Sequence, residues 1–149
     1  MSDVTDRYDL RRFVEAQDGC YRQVCDELRS GRKRGHWIWF IFPQLQGLGS
    51  SPAAVSYGIR SLAEARAYLA HPVLGPRLRE CARLLAGVRG RSITEIMCYP
   101  DDLKVCSSMT LFAAAADSGA ESRAEFQAVL DNYYEGRPDT RTLQMLSAG

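Results

Sequence analysis

The chain has 149 residues, of which 46% are hydrophobic and 25% charged, which is close to average globular usage and excludes wholesale disorder. A chain of this length suits one domain with a core that needs no staples. Its formal net charge is +1, so no global field draws it to nucleic acid or membrane, and any such partner must be met by a local patch.

The first predicted element is a long amphipathic helix. Leu10, Phe13, Val14, Gln17, Tyr21, Val24, Cys25 and Leu28 recur at spacings of three and four, with Asp9 as N-cap and Ser30-Gly31 as the stop. Gln17 interrupts this apolar stripe with an amide, one turn from both Phe13 and Tyr21. A basic loop, Arg32-Lys33-Arg34-Gly35, leads into His36-Trp37-Ile38-Trp39-Phe40-Ile41-Phe42-Pro43-Gln44. Trp37 to Phe42 is apolar on both faces, so periodicity does not separate a buried strand from a short buried helix. Helix is favoured because no second strand is evident for it to pair with. The run is also far too short to cross a bilayer.

Pro43 limits that segment, and Gly47-Leu48-Gly49-Ser50 reads as a flexible loop. Ser51-Pro52 opens a short helix through Tyr57. Ser61-Leu62-Ala63-Glu64 reads as a capping box whose helix ends before His71-Pro72. A further helix carries Leu78, Cys81, Ala82, Leu84 and Leu85 to Gly87, and Ser92-Ile93-Thr94-Glu95 repeats the capping box. Pro100-Asp101-Asp102 places a proline and two carboxylates in the first turn of a long helix, which runs through Met109, Leu111 and Phe112 to Ala116 and breaks at Ser118-Gly119. Phe126, Val129, Leu130 and Tyr133 stripe the next helix up to Gly136, and a last turn carries Leu143 and Leu146. With no internal repeat and no long linker, the expectation is one all-α domain over residues 1–149. It has about seven to eight short-to-medium helices around the buried aromatic segment.

Several stretches together resemble a bacterial family of small helical proteins of unknown function. They are 9–17, 31–44, Gly47-Leu48-Gly49-Ser50, His71-Pro72-Val73-Leu74-Gly75, and Asp101-Asp102-Leu103-Lys104 with Ser107-Ser108-Met109-Thr110-Leu111-Phe112. The resemblance covers nearly the whole chain and implies a compact all-helical fold without an assigned activity. Members of that family often carry the label calpastatin, yet inhibitors of that kind are disordered chains, whereas this composition builds a core. The family tends to have Phe-Gly ahead of its Asp-Asp-x-Lys run, where this chain has Met97-Cys98. A fainter resemblance is to the NADAR domain, linked to ADP-ribose chemistry, which also has an aromatic residue ahead of an Ala-Gln pair, like Phe13 and Ala16-Gln17. Arg11 and Asp18 depart from the acidic residue and lysine expected there.

Each candidate residue has a structural and a functional reading. Gln17 either holds a ligand or satisfies a buried backbone group, and the second is the commoner role for a buried amide. Arg29, Arg32, Lys33 and Arg34 either grip an anion beside Trp37 or Trp39, which can stack a base or ring, or are a solvated helix end that complements the dipole. His36 can act as an acid or base near neutral pH, but a lone histidine beside a buried segment is more often structural. Asp101 can serve as a carboxylate base near Lys104, or simply favour the helix start; at most one of Asp101 and Asp102 shares the face of Lys104. The Ser107, Ser108 and Thr110 hydroxyls sit inside a helix with no nucleophile elbow, and Gly47-x-Gly49 is too weak for a nucleotide fingerprint.

Cys20, Cys25, Cys81, Cys98 and Cys106 are an odd, scattered set without a CxxC pair. They point to reduced thiols, and with the acidic start Met1-Ser2-Asp3, unlike a secretory signal, to a cytoplasmic protein without metal or cofactor.

Two functions remain open from these residues. The first is a site for a phosphate-bearing small molecule, nucleotide or ADP-ribose-like, walled by Gln17, Arg32, Lys33, Trp37, Gln44 and Lys104. If it catalyses, Asp101 and His36 are the residues for hydrolysis. The second is a non-enzymatic module whose basic loop, Arg29 to Arg34, contacts RNA or an acidic protein, although neutral net charge and few exposed aromatics disfavour nucleic acid. A membrane partner is not expected.

Overall fold

The computed structural model describes residues 6–118 and 121–148. These form ten helices: α1 Arg11–Asp18, α2 Tyr21–Ser30, α3 Ile38–Ile41, α4 Pro52–Ser56, α5 Leu62–Ala70, α6 Leu74–Ala86, α7 Ile93–Met97, α8 Asp101–Ser118, α9 Ala124–Tyr133 and α10 Thr140–Ala148. The all-α expectation is met. Three of the ten are single turns of four or five residues, which sequence periodicity does not resolve. No helix among the described residues is long and apolar enough to cross a membrane.

The predicted first helix is two helices. Gly19 caps α1 and Cys20 leaves helical geometry at φ −140°, so the chain turns before α2 resumes the same apolar stripe. Asp9 does not cap α1; it sits at φ 53°. The carboxylate of Asp6 does the capping, accepting from the N–H groups of Leu10 at 2.7 Å and Arg11 at 3.1 Å. Ser51 and Ser92 cap α4 and α7 as expected, the second with a complete capping box. Ser61 caps α5, but the Glu64 side chain of that predicted box is used elsewhere. The expected break at Gly119 lies outside the described residues.

The aromatic segment is helical for one turn, Ile38 to Ile41, and then extends. Pro43 ends the helix, and Leu45 forms an isolated parallel bridge with Ile59. Gln46 N–H donates to Ile59 C=O and Ile59 N–H to Gln44 C=O, both at 2.9 Å. The chain after α3 is thereby pinned to the segment between α4 and α5.

Helix α8 is the central element, packing against α5, α9, α7, α10 and α3. Its small residues Ala113, Ala115 and Ala116 are buried and let neighbours approach closely, while Met109 and Phe112 fill the spaces between. A chain of ring contacts crosses the core: Tyr57 to Phe13 at 5.8 Å, Phe13 to Tyr68 at 5.1 Å in a T-shaped pair, Tyr68 to Phe112 at 5.1 Å, and Phe112 to Phe126 at 6.1 Å. Ser107 and Thr110 serve the start of α10. Ser107 Oγ donates to Asp139, and Thr110 Oγ1 accepts from Asp139 N–H at 2.8 Å.

A second polar anchor joins distant parts of the chain. Arg12, on α1, donates to Glu64 on α5 at 2.9 Å and to the carbonyls of Ser56, the last residue of α4, and Gly58 just beyond it, at 2.8 and 3.1 Å. The Glu64 side chain is only 1% exposed, so this ion pair lies largely out of water. The turn between α5 and α6 is equally constrained: a Cβ on Gly75 would stand 2.1 Å from the Leu69 carbonyl oxygen, so only glycine fits.

Candidate functional site

The site begins at the end of α2. Gly31 adopts φ +75°, and Arg32 N–H reaches back to the Glu27 carbonyl at 3.0 Å, a Schellman-type stop. The Glu27 side chain then organises the loop that follows. Its Oε1 accepts from the N–H of Arg34 at 2.7 Å, the N–H of Gly35 at 3.0 Å and the indole N–H of Trp37 at 2.8 Å. Its Oε2 accepts from the Gln23 amide at 2.8 Å. Burial alone would raise the Glu27 carboxyl, but these donors outweigh it and hold the pKa at about 2.

The loop so folded delivers Lys33 to the start of α8. Lys33 N–H donates to Ile96 C=O at 2.8 Å, and its ammonium donates to Gly35 C=O and pairs with Asp101 Oδ2 at 2.9 Å. Asp101 Oδ1 pairs with Lys104 at 3.2 Å, one turn along α8. Two lysines therefore share one carboxylate. Each also stands over an indole, Lys33 at 5.2 Å from the Trp37 ring centre and Lys104 at 4.8 Å from that of Trp39. Asp102, the other candidate carboxylate, faces away, accepting from the Thr94 hydroxyl at 2.8 Å.

Beside this cluster lies a small cavity walled by Ile38, Trp39, Phe42, Gln44, Ala54, Tyr57, Gly58 and Lys104. Its free volume is about 10 Å³, room for one water. Gly49 lies close by: a Cβ there would meet Ala54 Cβ at 2.9 Å and the Gln44 amide nitrogen at 3.4 Å. Two buried polar atoms among the described residues lack a hydrogen-bond partner, the Trp39 indole N–H and the Ser108 hydroxyl. Ser108 is one turn beyond Lys104 on α8. Buried donors are rarely left unmade, because each costs about 1–3 kcal/mol.

The structure brings together Lys33, Trp37, Asp101 and Lys104, and places Gln44 on the neighbouring cavity. It does not bring the others to that place. Gln17 is buried, and its amide is occupied by the Phe40 carbonyl at 2.8 Å, the Tyr68 hydroxyl at 3.1 Å and Arg77 at 3.3 Å. It joins α1, α3, α5 and α6. His36 and Arg32 are exposed, and no hydrogen bond or ion pair links either to Asp101. A wider cleft of about 660 Å³ lies between Asp6–Arg11, α1 and the α5–α6 turn, but none of the expected ligand residues lines it. Among the described residues no group of three or more His, Cys, Asp and Glu side chains is placed to hold a metal.

Sequence reasoning missed Glu27, and it raised Trp39 and Ser108 without placing them among the site residues. Glu27 did leave a signal: it is an acid in the last turn of a helix, where the dipole disfavours negative charge, so a compensating set of donors is implied. Ser108 is visible only as one of three hydroxyls inside a helix, where a serine usually bonds its own backbone.

Cys98, between α7 and α8, adopts φ 68° and ψ 155°, a region open to glycine and strained for other residues. This is the position at which the resembling family tends to carry glycine. Cys98→Gly is therefore expected to stabilise the protein by about 1 kcal/mol, relief of strain exceeding the added entropy of the unfolded chain. A thermal melt should rise by roughly 2–4 °C; a fall would contradict the strain.

Fold and site together define a small all-helical protein in which a loop ordered by a buried glutamate brings Lys33 to the aspartate that Lys104 of α8 also pairs with, each lysine over a tryptophan. Residues 7–146 match the family model described as a protein of unknown function (DUF1810), and the chain belongs to that family. It is similar to the crystal structure of the conserved hypothetical protein Rv1873 from Mycobacterium tuberculosis, with 60% identity and a TM-score of 0.91 over 95% of this chain and 99% of that one. No curated protein matches the chain.

Proposed function

We propose that the protein binds a small phosphate-bearing molecule, a nucleotide or an ADP-ribose-like ligand, at Lys104 and the Trp39 cavity. The observation that carries this reading is the Trp39 indole N–H, buried without a partner beside a lysine that already has two alternative contacts. A phosphate oxygen accepts from both donors, and a charge-assisted bond to Lys104 offsets the loss of its contact with Trp39. Tyr57 and Trp39 offer ring faces to a base or ribose. Since the cavity holds about one water, the ligand enters by lifting Lys104 and the Gly47–Ser50 loop, in which Gly47 already has φ +103°. Lys33 keeps Asp101 in place when Lys104 leaves it. Binding is the better supported half of the reading. For Asp101 to act as a hydrolytic base, one lysine must first release an oxygen, and His36 would have to move to reach it.

Isothermal titration with ADP-ribose, inorganic phosphate and adenosine tests the reading. ADP-ribose is expected to bind, adenosine to bind weakly, and Lys104→Met to lower ADP-ribose affinity at least tenfold, about 1.4 kcal/mol, with an unchanged circular dichroism spectrum. Absence of heat for every phosphate-bearing probe at millimolar concentration would overturn it.

A further inference from the structure

At the end of the molecule formed by the α2–α3 and α6–α7 loops lies a second cationic feature, which stands independently of the Lys104 site. The two loops touch at Gly31. A Cβ there would stand 3.0 Å from both Arg91 Cδ and Val88 Cγ1, and the Arg91 guanidinium donates to Gly31 C=O at 2.9 Å. Arg29 in the last turn of α2, with Arg32 and Arg34 of the loop after it, thus adjoins Arg89 and Arg91 of the other loop, and all five are exposed. The Arg29 guanidinium pairs with Asp26 in the open, and Arg91 lies beside Glu95, whose carboxyl the Ser92 backbone N–H and then the Arg91 charge help to lower; among the described residues Arg32, Arg34 and Arg89 make no ion pair. Glu27, the carboxylate beneath the patch, is buried and its oxygens are filled by the loop's own donors. On a chain of net charge +1, this is a local excess of arginine over the carboxylates Asp26, Glu27 and Glu95 that adjoin it.

From this arrangement we infer that the Arg29–Arg34 and Arg89–Arg91 surface docks the phosphate backbone of a nucleic-acid duplex. Guanidinium groups pair with phosphate oxygens in a planar, bidentate way, and arginines from two loops offer several such contacts across one surface. An acidic protein fits less well, because protein interfaces centre on apolar or aromatic anchors. Among the described residues the exposed large hydrophobics are Val55, Tyr99, Leu103 and Leu143, and none lies in the Arg29–Arg34 or Arg89–Arg91 segments. A single strand fits less well for a related reason: its binding uses aromatic platforms for unstacked bases, whereas Trp37 is buried and Tyr133 turns its hydroxyl inward to Leu85 C=O. Contacts confined to phosphates carry no sequence preference.

Fluorescence anisotropy with the full chain and labelled 20-base-pair RNA and DNA duplexes tests the inference. Binding is expected to weaken steeply with salt, with a log–log slope of roughly −3 to −4 from about three to four neutralised phosphates. The exposed triple variant R32S/R34S/R89S should keep its circular dichroism spectrum, lose at least tenfold in affinity at low salt and flatten the slope by roughly 2–3. The two duplexes separate an RNA from a DNA source of the same backbone chemistry. No binding to either duplex at low salt, equal binding by the triple variant, or polyglutamate displacing the duplex as well as unlabelled duplex does would each overturn it. The last would assign the surface to an acidic protein.

Discussion

Glu27→Ala is expected to destabilise the protein by about 4 kcal/mol, lowering the thermal midpoint by roughly 8–16 °C. The substitution strips the Arg34 and Gly35 N–H groups, the Trp37 indole N–H and the Gln23 amide of their common acceptor, and leaves the loop beyond Arg32 held through Lys33, by its bonds to Ile96 and Gly35 and its pair with Asp101. Glu27→Gln is expected to cost less, since its carbonyl oxygen retains some of these donors while its NH₂ group opposes the rest. The carboxylate also makes stability depend on pH. Its pKa is lowered from a usual 4.5 to about 2, so its contribution is complete above about pH 4.5 and is lost as pH falls through about 2. Denaturant melts of the native protein should therefore weaken across that interval, and Glu27→Ala should remove that part of the slope. Equal slopes in the two proteins would show that the loop is held by other means.

Glu64→Ala is the second large effect, expected at about 3 kcal/mol by urea unfolding. It leaves the Arg12 guanidinium without its counter-ion in a place where the Arg12 side chain is only 14% exposed. The value falls at the lower end for a broken buried pair because Arg12 keeps carbonyl partners at Tyr8, Asp9, Ser56 and Gly58. Since Ser56 and Gly58 flank Tyr57, which walls the Trp39 cavity, the variant should also loosen that wall. The double replacement R12M/E64L should recover most of the loss, as apolar pairs of similar volume replace buried ions at little cost. A double variant as unstable as Glu64→Ala would show that Arg12 acts mainly through its carbonyl contacts.

Much of the fold was legible from local rules. Ser51-Pro52 and the Ser92 capping box start helices where they should, and the apolar stripe from Phe13 to Leu28 marks the buried faces. The failures share a cause. Gly19 and Cys20 bend the chain without disturbing the three-and-four spacing, so one stripe reads as one helix when it is two. Asp6 displaces Asp9 as the cap because Asp9 takes up a left-handed turn that only the surrounding chain requires.

The candidate site was half legible. Lys33, Trp37, Asp101 and Lys104 meet as their residue types suggested, and Asp101 rather than Asp102 shares the face of Lys104, as helical spacing allows. Gln17 illustrates the limit: an amide on an apolar stripe signals a buried partner, but three partners on α3, α5 and α6 are tertiary facts that spacing along one helix does not contain. The arginine end was visible only as one loop, because the second loop lies some sixty residues away in sequence and joins it through the Arg91–Gly31 contact.

The most direct measurement is the indole N–H region of a nitrogen-15 NMR spectrum during titration with ADP-ribose. The two tryptophans differ in one respect that the spectrum reads: the Trp37 indole N–H donates to Glu27, whereas the Trp39 indole N–H has no hydrogen-bond partner. The Trp39 signal is expected to move on titration, the Trp37 signal to stay, and Lys104→Met to abolish the movement. A Trp39 signal that stays fixed at millimolar ligand, or that moves equally in Lys104→Met, would contradict a phosphate-bearing ligand at this site.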